Sequence, residues 1–144
     1  MKTMLIAVLM LCATAASAAT DANWTQVASA SNGQTWDYQD HSGHLVTLTN
    51  SDIAYAANFR TIFPDGSTYY SQEYVRVSAC QRGYGKEATT DMDGNPAGQI
   101  DFNLTGTTVG DTIAKELCRA WWLSTHPQPA QPPGPHVPGI KQST

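Results

Sequence analysis

The sequence predicts an α+β domain: a small antiparallel β-sheet of about five to six strands, with a C-terminal helix packed on it and one disulfide. Three observations predict it. Short runs alternating apolar and polar residues, bounded by Gly, Asn, Asp and Pro, fill most of the chain. One late stretch changes to the 3.6-residue period of a helix. Two cysteines stand in the folded part, at Cys80 and Cys118. A run of strands followed by a helix is the pattern of a sheet with a helix on one face.

The elements follow in order. Trp24 to Ala28 reads as a strand, and Asn32-Gly33 is a hairpin turn. Gln34 to Gln39 places Trp36 and Tyr38 on one face and Thr35 and Asp37 on the other. His41-Ser42-Gly43 turns the chain, and Leu45 to Thr49 is β-branched and apolar enough for a short strand. From Ile53, the positions Tyr55, Ala57, Phe59, Thr61 and Phe63 continue one face, with Asn58 and Arg60 on the other. Pro64-Asp65-Gly66-Ser67 is a turn cluster.

Thr68 to Ala79 reads as the next strand, with Val75, Val77 and Ala79 on one face. Cys80 then falls on the Tyr74 face, so the strand ends or bulges near Ala79, or both its faces are partly covered. Tyr84 to Asp91 is a strand, Asp93-Gly94-Asn95-Pro96 a turn, and Ile100, Phe102 and Leu104 mark a further strand with Asp101 and Asn103 outward. Thr108 and Asp111 have capping-box spacing, with Asp where Glu or Gln is usual. Ile113, Leu117, Ala120 and Trp121 then form an apolar helical stripe.

The two ends belong to different compositions. Lys2, the apolar run Met4 to Leu11 and the small-residue site Ala16-Ser17-Ala18 read as a secretory signal peptide over residues 1–18. The apolar run is far short of the ~20 residues that span a bilayer. Cys12 lacks the small residue before it that a lipoprotein signal requires, because Leu11 stands there. Residues 19–122 then form the domain, and residues 123–144 a proline-rich tail holding six of the eight prolines. Such a tail is expected to be disordered or polyproline-like, a spacer more than a groove ligand.

Export decides how the cysteines are read. Cys80 and Cys118 are the two that remain after cleavage, and in an oxidising compartment they are expected to pair. Two free thiols or an intermolecular pair are the alternatives. There is no C-x-x-C spacing for redox work.

Composition excludes several functions. Charged residues make 14% of the chain, against ~25% in an average protein. Loss of Lys2 with the leader leaves seven cations against twelve carboxylates. The cations are scattered singly, so no basic patch for nucleic acid is readable. Asp91, Asp93 and Asn95 begin like a calcium loop, but Pro96 stands at the sixth position and Phe102 at the twelfth. His41 and His44 share a turn with no third clear ligand, so no metal site is expected. No cofactor motif, nucleophile elbow or selected carboxylate pair is present, and no catalytic residue is assigned. The aromatics divide between core and surface. Adjacent residues cannot both face one core, so one of Tyr69 and Tyr70, and Trp122, are expected outside; Tyr69 and Trp122 are the candidate partner-binding residues.

Four motifs occur in order: Trp24-Thr-Gln-Val27, Gly33-Gln-Thr-Trp36-Asp-Tyr38, Tyr70-Ser71 leading to Cys80, and Thr108-Val-Gly110-Asp111 leading to Cys118. In order and spacing, from Trp24 to Cys118, the chain resembles the surface-adhesin protein E family of Gram-negative bacteria. The resemblance implies a small antiparallel sheet and C-terminal helix joined by Cys80–Cys118. It also implies export to the periplasm or cell surface, and non-enzymatic adhesion to host extracellular-matrix protein. The His41–His44 turn and the proline-rich tail depart from the family pattern. The second expectation is a periplasmic accessory or inhibitor protein that binds an envelope enzyme or toxin. Both expectations share a protein partner, with no nucleic acid and no membrane span.

Overall fold

The structure, a computed structural model, describes residues 23–129. The predicted signal peptide, Cys12 and most of the proline-rich tail lie outside the described residues. Seven strands and two helices follow one another: β1 Trp24–Ser29, β2 Thr35–Gln39, β3 His44–Thr47, β4 Ile53–Ile62, β5 Thr68–Arg76, α1 Val77–Arg82, β6 Tyr84–Asp91, β7 Pro96–Asn103 and α2 Val109–Thr125. All pairings are antiparallel, in the order β1-β2-β4-β5-β6-β7, and β3 also pairs with β4. The α+β class and the helix on the sheet are as the sequence predicts.

The sheet has seven strands against the five to six expected, and two short ones share one long neighbour. β2 pairs with Phe59–Ile62 and β3 with Ile53–Ala56, the two halves of one edge of β4. The turn between them, at residues 40–43, keeps both halves in register. His41 there takes a positive φ of 62°. The Ser42 hydroxyl donates to the Gln39 carbonyl (2.8 Å) and accepts from the Asn58 amide (3.0 Å). Gly43 is required by contact: a Cβ at that position would lie 2.0 Å from the Tyr55 hydroxyl.

One face of the sheet carries the core. Tyr38, Tyr55, Ala57, Phe59, Val75 and Phe102 pack against Ile113, Ala114, Leu117 and Cys118 of α2. Tyr38 and Phe59 meet edge to face, with centroids 5.5 Å apart. Leu117 and Phe59 are wholly buried, and truncating either to Ala would cost about 2–5 kcal/mol. Ile53, Phe63 and Ile100, expected on the apolar faces of their strands, are exposed, because they sit at strand ends or on the edge strand beyond this core.

Two boundaries differ from expectation. The predicted strand Thr68–Ala79 ends at Arg76, and Val77–Arg82 is a short helix capped by Gly83 at φ 86°. Cys80 therefore projects from α1. It joins Cys118 of α2 in a disulfide, with Cα atoms 5.4 Å apart and a sequence separation of 38.

The last helix also outruns its predicted end. α2 continues through Leu123, Ser124 and Thr125, residues assigned above to the tail. The Ser124 and Thr125 hydroxyls donate to the Trp121 carbonyl (2.7 and 3.0 Å), and the His126 amide donates to that of Trp122 (2.9 Å). Two carbonyls of the last turn, those of Trp121 and Trp122, are thus satisfied before Pro127 excludes another turn.

Candidate functional site

The end of α2 carries the largest exposed ring. Trp122 is 51% exposed, while Trp121 turns toward the core and is half-buried. Their neighbouring positions on the helix explain the split, since residues one apart point about 100° away from each other. The Trp122 ring is not loose. His126 stacks on it at 3.7 Å with 11° between planes, and Trp121 meets it edge-on at 6.2 Å. His126 Nδ1 also lies 3.1 Å from the Trp122 carbonyl. Leu123, 40% exposed, extends the apolar surface.

A cleft of about 550 Å³ lies beside it, between the last turns of α2 and the 40–43 turn. Tyr38, Tyr55, Asp40, His41, Arg119 and Leu123 line it. Burial, reinforced by the neighbouring Tyr55, pushes the Tyr38 hydroxyl up to about 12, so it stays a neutral hydroxyl in that wall. Arg119 is held by Glu116, whose carboxylate accepts from its Nε at 3.0 Å and raises its already high pKa. The cleft thus combines polar groups, Asp40, Glu116 and Arg119, with the apolar Ala120 and Leu123 of α2.

The structure does not bring Tyr69 and Trp122 together. Tyr69 pairs with Thr61 near the β4–β5 hairpin, whereas the end of α2 faces Tyr55. Six residues of β4 separate those positions, roughly 20 Å of strand. Tyr69 and Tyr70 are both exposed, not one of them, and Tyr70 lies on the opposite face against Trp24 (5.8 Å), itself under the Arg60 guanidinium.

Two groupings escape the sequence reading. The first is a pair of buried carboxyls, Glu73 on β5 and Glu87 on β6, 6% and 2% exposed. The Glu73 carboxylate accepts from the Ser71 and Thr89 hydroxyls at 2.8 and 2.6 Å, and Glu87 hydrogen-bonds to Glu73. Burial, reinforced by the charge of Glu73, raises the Glu87 carboxyl to about 9; burial also raises Glu73. Neither carboxyl lines any of the grooves described here, and no cluster of three His, Cys, Asp or Glu suited to a metal occurs among the described residues.

The second grouping corrects the expectation of scattered cations. Of the six Lys and Arg side chains in residues 23–129, Arg76, Arg82 and Lys86 line one groove of about 570 Å³. The His41–His44 turn holds no such assembly: His44 Nδ1 is engaged with the Ser42 carbonyl oxygen at 3.0 Å. The Asp91 loop binds itself, its carboxylate accepting from the Asp93 and Asn95 amides and the Asn95 side chain.

Among the described residues, no helix is long and apolar enough to cross a membrane. The molecule is thus an antiparallel sheet carrying a disulfide-pinned helix with an aromatic end. Comparison with family models, curated proteins and solved structures found no match.

Proposed function

We propose that this chain is an exported, non-enzymatic binding module that contacts a host extracellular-matrix protein through the aromatic end of α2. The observation that carries the reading is the exposed Trp122 ring, held in place by His126 beside an open cleft. Large rings that are half-exposed and already ordered are the side chains that anchor protein interfaces. The disulfide supports export, because such bonds persist in oxidising compartments. The resemblance to the surface-adhesin protein E family supplies the class of partner. The disulfide equally fits a periplasmic accessory or inhibitor protein, the second reading.

Binding to immobilised laminin and fibronectin tests the contact. The Trp122→Ala variant is expected to lose at least tenfold in affinity while keeping its melting temperature, because the ring lies outside the core. Trp122→Tyr should retain most of it. Equal binding by wild type and Trp122→Ala would contradict the assignment.

A further inference from the structure

The groove lined by Arg76, Arg82 and Lys86 has no role in the contact proposed at Trp122. It crosses β5, β6 and β7, where Tyr74 pairs with Ala88 and Ala88 with Gln99. The β5–β6 pairing ends at Val75 with Glu87, and Arg76 and Lys86, the next residues of the two strands, both line the groove. Like charges on adjacent strands repel. Arg82 adds a third positive charge at the end of α1, where its guanidinium lies 5.7 Å from the Tyr84 ring centroid.

No carboxylate lines this groove. Asp52 reaches Arg76 and Asp101 reaches Lys86, each at 2.8 Å, but both pairs are solvent-exposed. Exposed pairs of this kind are weak and exchange readily. The chain as a whole carries a net charge of −4, so this is a local inversion of its field.

Two further features suit an occupant. Thr90 lines the groove, and its buried hydroxyl just beneath has no hydrogen-bond partner within the protein. Leu48, Ala79 and Ala88 supply an apolar floor. The volume falls within the ~300–1,000 Å³ of small-molecule sites.

We infer that this groove binds a small soluble phosphomonoester with an apolar or aromatic body. Three cations match a dianionic head of about −1.5 to −2 charges better than a single carboxylate. Guanidinium groups present paired donors to the phosphate oxygens, and Lys86 contributes a point charge. The body of the ligand lies on Leu48 and Ala88, and Gln99 stands at the β7 side.

Amide chemical-shift titrations of the disulfide-bonded chain test this with phenyl phosphate, inorganic phosphate and benzoate. Phenyl phosphate should give saturable shifts confined to residues around 74–76, 82–90 and 99. It should bind at least tenfold more tightly than inorganic phosphate or benzoate. The Arg82→Gln/Lys86→Gln variant, altered at two exposed positions, should weaken it at least tenfold while leaving the remaining spectrum and the melting temperature unchanged. Non-saturating shifts, or equal binding by that variant, would overturn the assignment. Sedimentation with phosphatidic-acid vesicles in the absence of any phenyl phosphate response would overturn it in favour of a membrane surface. Because Trp122 is untouched, matrix-protein binding by the same variant separates this site from the one at α2.

Discussion

Glu87 is a carboxylic acid almost without water, and its proton is part of the fold. One of its oxygens, Oε2, has no hydrogen-bond partner and faces Gly110 at the start of α2, 3.8 Å from where a Cβ would sit. Its carboxyl titrates near 4.5 when solvated and is raised to about 9 in the folded protein by burial and then by Glu73. The folded state therefore holds the proton more tightly than the unfolded chain. Stability from this group is complete below about pH 4.5 and is lost as pH rises toward 9. The Glu87→Gln variant keeps the shape and removes the titration. Its melting temperature should vary less between pH 5 and 9 than that of wild type, and at pH 8 it should be more stable by on the order of a few kcal/mol. Parallel curves for the two proteins would show that Glu87 is ionised in the fold. Asp111 acts in the opposite direction. Its carboxylate accepts from the Asn103 amide (2.7 Å) and from the Thr108 amide and hydroxyl (2.9 and 2.7 Å), contacts that lower its pKa and are lost in acid.

At the scale of elements, the disulfide joins parts that the sheet does not. α1 leaves the end of β5, α2 lies across the core face, and Cys80–Cys118 fastens one to the other. Replacing both cysteines by Ala should lower the unfolding free energy by about 3–4 kcal/mol in the chain-entropy model. The check is a denaturant midpoint, and an unchanged midpoint would show that α1 and α2 hold together without the bond. The start of α2 was legible in sequence because its signals are local: Thr108 and Asp111 form the capping box, and Ile113 and Leu117 are buried. The short helix α1 was not. Val75, Val77 and Ala79 alternate like a strand, while the chain there turns into a helix closed by Gly83 and joined to Cys118, 38 residues on. The end of α2 was hidden for a different reason. Ser124 and Thr125 read as tail residues, yet their hydroxyls close the final turn. Trp122 was readable as exposed from its adjacency to Trp121 alone. The cationic groove and the Glu73–Glu87 pair were not, because strand register, not spacing along the chain, brings their members together.

Over the whole molecule, polar chemistry and apolar surface are kept apart. The buried carboxyl pair sits inside the sheet–helix layer, the cations gather in a groove across β5–β7, and the ordered aromatic surface stands at the end of α2. A core this small gains from a covalent tie, and that tie is favoured outside the reducing cytoplasm. Display at the cell surface is what the proposed adhesion requires. Fractionation of the native host cells, combined with protease shaving of intact cells, tests it. The expected result is a chain cleaved from the leader, oxidised at Cys80–Cys118 and digested by protease without cell lysis. Oxidised chain protected in the periplasm would replace adhesion with the accessory-protein reading, and reduced, uncleaved chain in the cytoplasm would contradict export itself.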